Sequence, residues 1–86
     1  MPLPYQIWLR QAAYGYLDGL EEAERSRLLT WIERLGTNPF RDGDFTERGS
    51  DGRDWQVAVI AVHAVVWWVD GAVCEVKIVA VRPADV

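Results

Sequence analysis

The second half of the chain has the hydrophobic pattern of β-strands. Residues 55–69 are apolar at all but two positions, and Val and Ile are frequent among them. As one strand this stretch would extend about 50 Å, so we expect the chain to turn near residues 60–63. Asp70-Gly71 then follows between β-forming residues, which predicts a two-residue hairpin leading into a strand over residues 72–81.

The first half of the chain predicts one strand and two helices. Residues 5–10 alternate and include aromatic and β-branched side chains, which suits a strand. Residues 11–17 predict a short helix that is weakened by Gly15. Residues 20–35 carry apolar side chains at helical spacing, acids in the first turn and a base in the last, which predicts a longer helix. Gly36 follows directly and is predicted to be the C-cap of this helix.

The segment between these two halves, residues 38–54, is polar, contains three glycines and predicts a loop. The predicted order is therefore β-α-α-β-β-β, without an internal repeat or a linker that would divide the chain. This order indicates an α+β fold in which two helices pack on one face of an antiparallel sheet. At this length, residues 1–86 are expected to form a single domain.

Strand alternation assigns the hairpin residues to the two faces of the predicted sheet. The two-residue turn pairs Val69 with Ala72, and residues opposite each other share a face. The other face holds Trp68, Glu75 and Lys77, and it is the candidate working surface because two helices can cover only one side of the sheet. The residues expected to face the helices are His63, Val65, Trp67, Val69, Ala72, Cys74, Val76 and Ile78.

Composition narrows the classes of function. The 9 Lys and Arg against 13 Asp and Glu give a net charge of −4, so the overall field repels nucleic acid and any such role needs a local basic patch. The sequence shows no metal-ligand spacing and no glycine-rich phosphate loop, so neither a metal nor another cofactor is expected.

Cysteine usage and the apolar stretch bear on where the protein is found. Cys74 has no partner for an internal disulfide, and the N-terminus shows no secretory signal. The stretch over residues 55–69 is shorter than the roughly 17–25 residues that a membrane-spanning helix needs. A cytoplasmic protein without a membrane segment is therefore expected.

Several features together resemble a known family. They are the strand followed by two helices, the segment 28–40 that reads LLTWIERLGTNPF, and the closing sheet with its Asp-Gly turn. Over nearly the whole chain this pattern resembles the RelE/ParE toxin superfamily. The resemblance implies a small toxin that is held in check by an antitoxin protein. It also implies one of two activities, since the RelE branch cleaves messenger RNA on the ribosome and the ParE branch inhibits DNA gyrase without cleavage.

The resemblance also implies where a catalytic site would lie. Nuclease members of the family use Arg, Lys, His or Tyr side chains on the sheet and at the C-terminal end. In this chain the corresponding regions offer several cations for a phosphate group and one side chain that titrates near neutrality. The catalytic candidates are Lys77, Arg82, Arg53 and His63, and the candidate substrate-binding residues are Arg48 and Trp68.

The sequence departs from the family pattern at several corresponding positions. Gln56 follows the strand aromatic Trp55, where the family is often basic, and Ala64 stands where an Arg is usual. The tail over residues 82–85 reads RPAD, where a Gly-His-Arg type of ending is common. Two hypotheses therefore stay open: a metal-independent messenger RNA endonuclease that acts at the ribosome, and a non-catalytic binding module of the gyrase-inhibitor type or a toxin relative that has lost activity.

Each charged candidate also has a purely structural interpretation. His63 lies on the predicted core face, which favours a buried structural histidine over a catalytic base. Lys77 can hold a phosphate or form an ion pair with Glu75. Arg48 and Arg53 alternate with acidic residues, which favours a hydrated and neutralised loop over a phosphate clamp.

The candidate working surface predicts a binding partner. Trp68 and the neighbouring valines would leave an apolar surface, and an exposed indole is a common anchor at interfaces. The predicted edge strands carry few charges that would block pairing with another chain. We therefore expect an antitoxin or a second copy of the chain to cover this surface.

Overall fold

The structure is a computed structural model that describes residues 4–84. The predicted helices and the predicted first strand are confirmed, with small shifts of their ends. In chain order the elements are β1 (Gln6–Leu9), α1 (Gln11–Asp18), α2 (Glu22–Thr37), β2 (Phe45–Arg48), β3 (Asp54–Ile60), β4 (His63–Asp70) and β5 (Glu75–Pro83).

The five strands form one mixed sheet in the order β1-β5-β4-β3-β2. Neighbouring strands run antiparallel except for β1, which pairs with β5 in parallel. The prediction of an antiparallel sheet is therefore wrong at this one edge. A hairpin makes two consecutive strands antiparallel, but β1 joins the sheet beside the last strand, so no hairpin fixes its direction. Both helices pack on one face of the sheet, as the α+β prediction required.

The segment predicted to be a loop, residues 38–54, contains strand β2. This strand pairs with β3, from Phe45 opposite Val57 to Arg48 opposite Asp54. Its sequence FTER is mostly polar and exposed, because a strand at the edge of a sheet has a neighbour on one side only. The sheet therefore has five strands, where the sequence predicted four.

The turn predicted near residues 60–63 is confirmed. Ile60 pairs with His63, so Ala61 and Val62 form a two-residue loop between β3 and β4. Ala61 takes a positive φ of 55°, a conformation that glycine adopts readily and that costs an L-residue about 1–2 kcal/mol. The turn forms without a glycine or asparagine because the pairing of the flanking strands holds Ala61 in this conformation.

We expect Ala61→Gly to raise the free energy of unfolding by about 0.5 kcal/mol, because the relief of backbone strain exceeds the entropy that glycine adds to the unfolded chain. Val62→Gly is the matched control, since Val62 does not have a positive φ and glycine there should only destabilise. Urea unfolding of both variants beside the wild type measures the two changes. Equal losses of stability in the two variants would contradict the strain at Ala61.

The two-residue hairpin predicted at Asp70-Gly71 is wrong. Asp70 pairs with Glu75, so the loop between β4 and β5 spans residues 71–74. The Asp70 side chain closes part of this loop, because its Oδ1 accepts the backbone N–H of Ala72 at 3.2 Å. The positive φ of the loop falls on Cys74, at 55°. Cys74 is exposed in the loop, whereas the predicted register required it to face the core.

The register of β4 against β5 differs from the prediction by an even number of residues. Trp67 lies opposite Ile78, four positions beyond the predicted partner Cys74. A shift of four keeps every side chain on its face, since side chains alternate with a period of two. The predicted faces of Trp67, Trp68 and Lys77 are therefore confirmed. An irregularity between Val66 and Trp67 then shifts the pairing farther along β5.

Gly36 is not the predicted C-cap but part of helix α2, whose C-cap is Asn38. It is buried where the end of α2 meets the chain just before β1. A Cβ atom on Gly36 would lie 2.7 Å from the carbonyl oxygen of Tyr5. The Gly36 carbonyl accepts the Tyr5 backbone N–H at 2.8 Å. Glycine is needed here for a close approach of two backbone segments, and not for a left-handed conformation.

The main hydrophobic core lies between the helices and the sheet. Trp67 is the largest fully buried side chain among residues 4–84. No helix in this part of the chain is long and apolar enough to cross a membrane. The buried members of the core are Ala13, Leu17, Leu28, Ile32, Leu35, Ala58, Val65, Trp67, Val76, Ile78 and Val81.

Candidate functional site

The face of the sheet turned away from the helices carries three of the six predicted site residues, Trp68, Lys77 and Arg82. We name it the open face and define it by Glu47, Trp55, Trp68, Lys77 and Arg82, which strand pairing places on one side. Trp55 and Trp68 pack against a second apolar cluster, so the valines of this face are buried and not exposed as the sequence predicted. The buried members of this second cluster are Val57, Ala64, Val66 and Val79.

Two indoles and two cations alternate across one end of the open face. Lys77 of β5 lies between Trp8 of β1 and Trp68 of β4, because it is paired with both in the sheet. The Lys77 Nζ is 4.5 Å from the centroid of the Trp8 ring. Arg53 follows on the other side of Trp68, with its Cζ 4.0 Å from the centroid of that ring. We name these four residues the indole–cation ladder, and both contacts are cation–π interactions.

Each cation of the ladder also has a carboxylate partner. The Lys77 Nζ donates to Glu75 Oε1 at 2.8 Å, and an Arg53 guanidinium nitrogen donates to Asp51 Oδ2 at 2.9 Å. The backbone N–H of Arg53 also donates to Asp51, and this bond, together with the Arg53 side chain, lowers the pKa of the Asp51 carboxyl below its usual value. Asp51 therefore stays ionised, and the positive charges of Lys77 and Arg53 are balanced by the carboxylates of Glu75 and Asp51.

The structure leaves two predicted cations outside the ladder. Arg82 donates to Glu47 Oε2 at 2.8 Å and lies opposite Ala64. Ala64 and Trp68 are four residues apart on β4, which corresponds to about 13 Å along a strand. Arg48 lies on the edge strand β2, where its Nε is 3.2 Å from Asp54 Oδ1. Lys77, Arg53 and Trp68 are thus brought together, whereas Arg82 and Arg48 are not.

His63 lies on the opposite side of the sheet from the ladder and is buried, as its predicted core position required. Its Nε2 is 2.8 Å from Glu24 Oε1 of helix α2, and its Nδ1 is 2.7 Å from the hydroxyl of Tyr16 in helix α1. In a neutral imidazole, Nε2–H donates to the carboxylate and Nδ1 accepts from the hydroxyl. His63 therefore connects both helices to strand β4 and does not face the ladder.

Burial raises the pKa of the Tyr16 phenol, and the negative charge of Glu24 raises it further. A raised pKa keeps the Tyr16 hydroxyl protonated and able to donate to His63 at neutral pH. It is the opposite of the activation that a tyrosine nucleophile requires. The group formed by Tyr16, His63 and Glu24 is therefore suited to holding the helices in place.

We expect Tyr16 and His63 to be coupled by about 1 kcal/mol in a double-mutant cycle, because each loses a partner when the other is changed. The cycle uses Tyr16→Phe, His63→Ala and the double variant, with urea unfolding as the measurement. Tyr14→Phe is the matched control, since Tyr14 belongs to the same helix but is 61% exposed. Additive effects of Tyr16→Phe and His63→Ala would contradict this interaction.

Three residues of these two groups carry no signal in the sequence that marks them as members. Trp8 belongs to the ladder only because β1 pairs with β5 in parallel, which no local pattern indicates. Tyr16 and Glu24 contact His63 across 47 and 39 positions of the chain, and helical periodicity does not show which strand residue they meet. Within the described residues, no group of three or more His, Cys, Asp or Glu side chains could hold a metal ion.

No family model matches the chain, and no curated protein matches it. Solved structures do match in fold. A chain of the toxin–antitoxin complex RelBE2 from Mycobacterium tuberculosis has a TM-score of 0.77 and 18% identity, covering 95% of this chain and 100% of that one. A chain of the archaeal RelE–RelB complex from Pyrococcus horikoshii has a TM-score of 0.75 and 19% identity, covering 94% of this chain and 96% of that one.

A free form of the Escherichia coli toxin RelE, solved as a mutant, is similar to this chain as well. Its TM-score is 0.75 at 18% identity, over 96% of this chain and 86% of the toxin. The matches extend over nearly the whole length of the molecules, although fewer than one residue in five is identical. The chain therefore shares its fold with these RelE and RelBE structures.

Proposed function

We propose that the chain is the toxin component of a type II toxin–antitoxin system, with an antitoxin protein as its binding partner. The observation that carries this proposal is the agreement in fold over nearly the full length of a free RelE toxin and of chains from two toxin–antitoxin complexes. Such a toxin would act in the cytoplasm, where its target is found. The finer proposal concerns the target, and it rests on the indole–cation ladder.

The ladder has the chemistry that a single-stranded RNA site requires. Indoles provide faces on which bases stack, and cations beside them hold the phosphates. Trp8 and Trp68 supply the first kind of group, and Lys77 and Arg53 supply the second. We therefore propose the ladder as the site at which messenger RNA binds on the ribosome.

The proposed reaction is RNA cleavage without a metal ion. A ribose 2′-hydroxyl loses its proton to water and attacks the adjacent phosphorus, so that a new P–O bond closes a 2′,3′-cyclic phosphate. The bond from phosphorus to the 5′ oxygen of the next nucleotide breaks, and that oxygen takes a proton from water. Negative charge increases on the phosphate in the transition state, and Lys77 and Arg53 stabilise it. His63 takes no part, because it lies on the other side of the sheet. Charge stabilisation and positioning, without a dedicated strong base, would then supply the catalysis.

A second candidate function is a non-catalytic binding module on the same fold, of the gyrase-inhibitor type or a toxin relative without activity. The carboxylate partners of the predicted cations favour it, because Glu75, Asp51, Glu47 and Asp54 neutralise them in the free protein. In this case Trp68 would serve as an anchor for a protein partner and not as a stacking platform.

Induced expression in Escherichia coli separates the two functions. If the chain is a toxin, induction should arrest growth. If it is also a ribonuclease, primer extension should detect new 5′ ends in ribosome-bound messenger RNA. If the chain is a binding module, messenger RNA should stay intact, and Trp68→Ala should largely remove any growth defect. Normal growth at a verified level of folded protein would contradict the toxin proposal, and growth arrest with intact messenger RNA would contradict cleavage.

A further inference from the structure

The exposed side of helix α2 carries a groove that the proposed function does not use. The groove has a volume of about 390 Å³. Its floor includes Ile60 of strand β3 and Trp31, which packs edge-on against Trp67 of the core. We name it the α2 groove, and it is lined by Ala23, Ser26, Arg27, Thr30, Trp31, Arg34 and Ile60.

The cations at this groove lack the carboxylate partners that the ladder cations have. In the described part of the chain, no ion pair joins Arg27 or Arg34 to an acidic side chain. Arg41 lies over the Trp31 ring, with its Cζ 5.1 Å from the centroid, and also has no ion pair among these residues. No acidic residue lines the groove. The groove is thus lined by two arginines and by no acidic side chain, although the chain as a whole carries a net charge of −4.

The spacing of the groove residues follows one face of the helix. Residues 23, 26, 27, 30, 31 and 34 recur at intervals of three and four, which places them on one side of α2. Arg27 and Arg34 are seven residues apart, or about 10.5 Å along the helix axis. Ala23, Ser26 and Thr30 are small, so another backbone can approach α2 closely on the face that carries the two arginines.

We propose that the α2 groove binds an acidic amphipathic helix of a partner protein. Two carboxylates seven residues apart on such a helix have the same spacing of about 10.5 Å as Arg27 and Arg34. An apolar side chain between them would then meet Trp31, which lies between the two cations on α2, and Ile60, which also lines the groove. The occupant is thus identified by charge and by spacing.

RNA fits this groove less well than an acidic helix. Trp31 is the one indole among the lining residues and packs edge-on against Trp67 of the core, so the groove has no second ring for a neighbouring base, whereas the ladder has both Trp8 and Trp68. The ladder and the α2 groove therefore take different ligands, and this proposal does not depend on whether the chain arrests growth.

A synthetic helix tests the proposal with the purified full chain. The probe is a fluorescein-labelled, Ala-based peptide of about 18 residues, which is long enough to be helical. It carries Glu at two positions seven residues apart, and Leu three and four residues after the first Glu, on the same face of the helix. The control peptide carries Lys in place of both Glu. Fluorescence anisotropy at low and at physiological salt measures binding, and we expect the Glu peptide to bind more tightly at low salt.

Charge reversal in the protein provides the decisive comparison. We expect Arg27→Glu and Arg34→Glu each to weaken binding of the Glu peptide about tenfold, and the double variant to bind the Lys peptide more tightly than the wild type does. Arg10→Glu is the matched control, since it changes the net charge equally but lies outside the α2 groove, and it should leave the affinity within about twofold.

Three results would overturn the proposal. The first is no binding of the Glu peptide by the wild-type chain, and the second is equal binding of the Glu and Lys peptides. The third is that polyuridine binds the wild-type chain and that Arg27→Glu abolishes this binding without changing the affinity for the Glu peptide. This result would assign the groove to RNA. Growth assays play no part in these measurements, so failure here is separate from failure of the toxin proposal.

Discussion

Trp67→Ala is expected to lower the free energy of unfolding by about 3–5 kcal/mol, the usual cost of truncating a large buried aromatic side chain. Trp67 has no exposed surface, and its ring meets the Trp31 ring edge-on at a centroid distance of 5.6 Å. Small domains have a total stability of about 5–15 kcal/mol. The variant should therefore be largely unfolded well below the urea midpoint of the wild type, as measured by circular dichroism.

Trp67→Phe separates the effect of the volume of the indole from that of its N–H group. The Trp67 Nε1 is buried and has no hydrogen-bond acceptor among residues 4–84, so Trp67→Phe loses volume but no hydrogen bond. We expect it to cost less than half as much as Trp67→Ala, on the order of 1–2 kcal/mol. Val59→Ala is the exposed control, since Val59 is 45% exposed on the neighbouring strand. A cost for Trp67→Ala no larger than that for Val59→Ala would contradict this description of the core.

The elements that depend on local patterns could be predicted from the sequence. The period of apolar residues defines α2 within the chain itself. The turn at Ala61 could be predicted because the apolar stretch is too long for one strand. Strand β2 could not, since a short edge strand with polar side chains leaves no alternation that differs from a loop. The length of the loop after Asp70 also could not, because no local signal distinguishes a four-residue loop with a positive φ at Cys74 from a two-residue turn at Asp70-Gly71.

The candidate site also contains residues that a local pattern predicts and residues that depend on distant parts of the chain. Alternation places Trp68 and Lys77 on one face for any hairpin loop with an even number of residues, as both the predicted and the observed loops have. The position of Trp8 depends on pairing between strands that lie at opposite ends of the chain. The position of Arg53 depends on a polar loop, where no periodicity constrains the side chain. The sequence therefore names Lys77, Trp68 and Arg53 as candidates, but it does not predict that Trp8 joins them or that Arg53 lies over the Trp68 ring.

Lys77→Ala is expected to reduce messenger RNA cleavage about 10²–10³-fold if the ladder is the ribonuclease site, the usual effect of removing one group that stabilises transition-state charge. Arg82 does not replace Lys77, because it lies near Ala64, about 13 Å along the sheet. Primer extension over a time course measures the rate at matched levels of protein. Circular dichroism checks that the fold is intact.

Glu75 provides a test in the opposite direction. In the free protein its carboxylate holds the Lys77 Nζ at 2.8 Å and competes with a phosphate for that cation. Glu75→Gln removes the competing charge but keeps the shape of the side chain. We therefore expect Glu75→Gln to increase RNA affinity and cleavage, by about tenfold at most for a partly exposed ion pair. A merely structural Lys77 would instead make Glu75→Gln neutral or harmful.

Conservative and aromatic variants complete this test of Lys77. Lys77→Arg keeps the positive charge and should retain most of the activity, because the proposed role is charge stabilisation and not proton transfer. Trp68→Ala removes the stacking surface and should weaken RNA binding by about 1–3 kcal/mol. Unchanged cleavage in Lys77→Ala, together with loss of partner binding in Trp68→Ala, would assign the open face to a protein partner, since a cation that contacts the reacting phosphate cannot be removed without a change in rate.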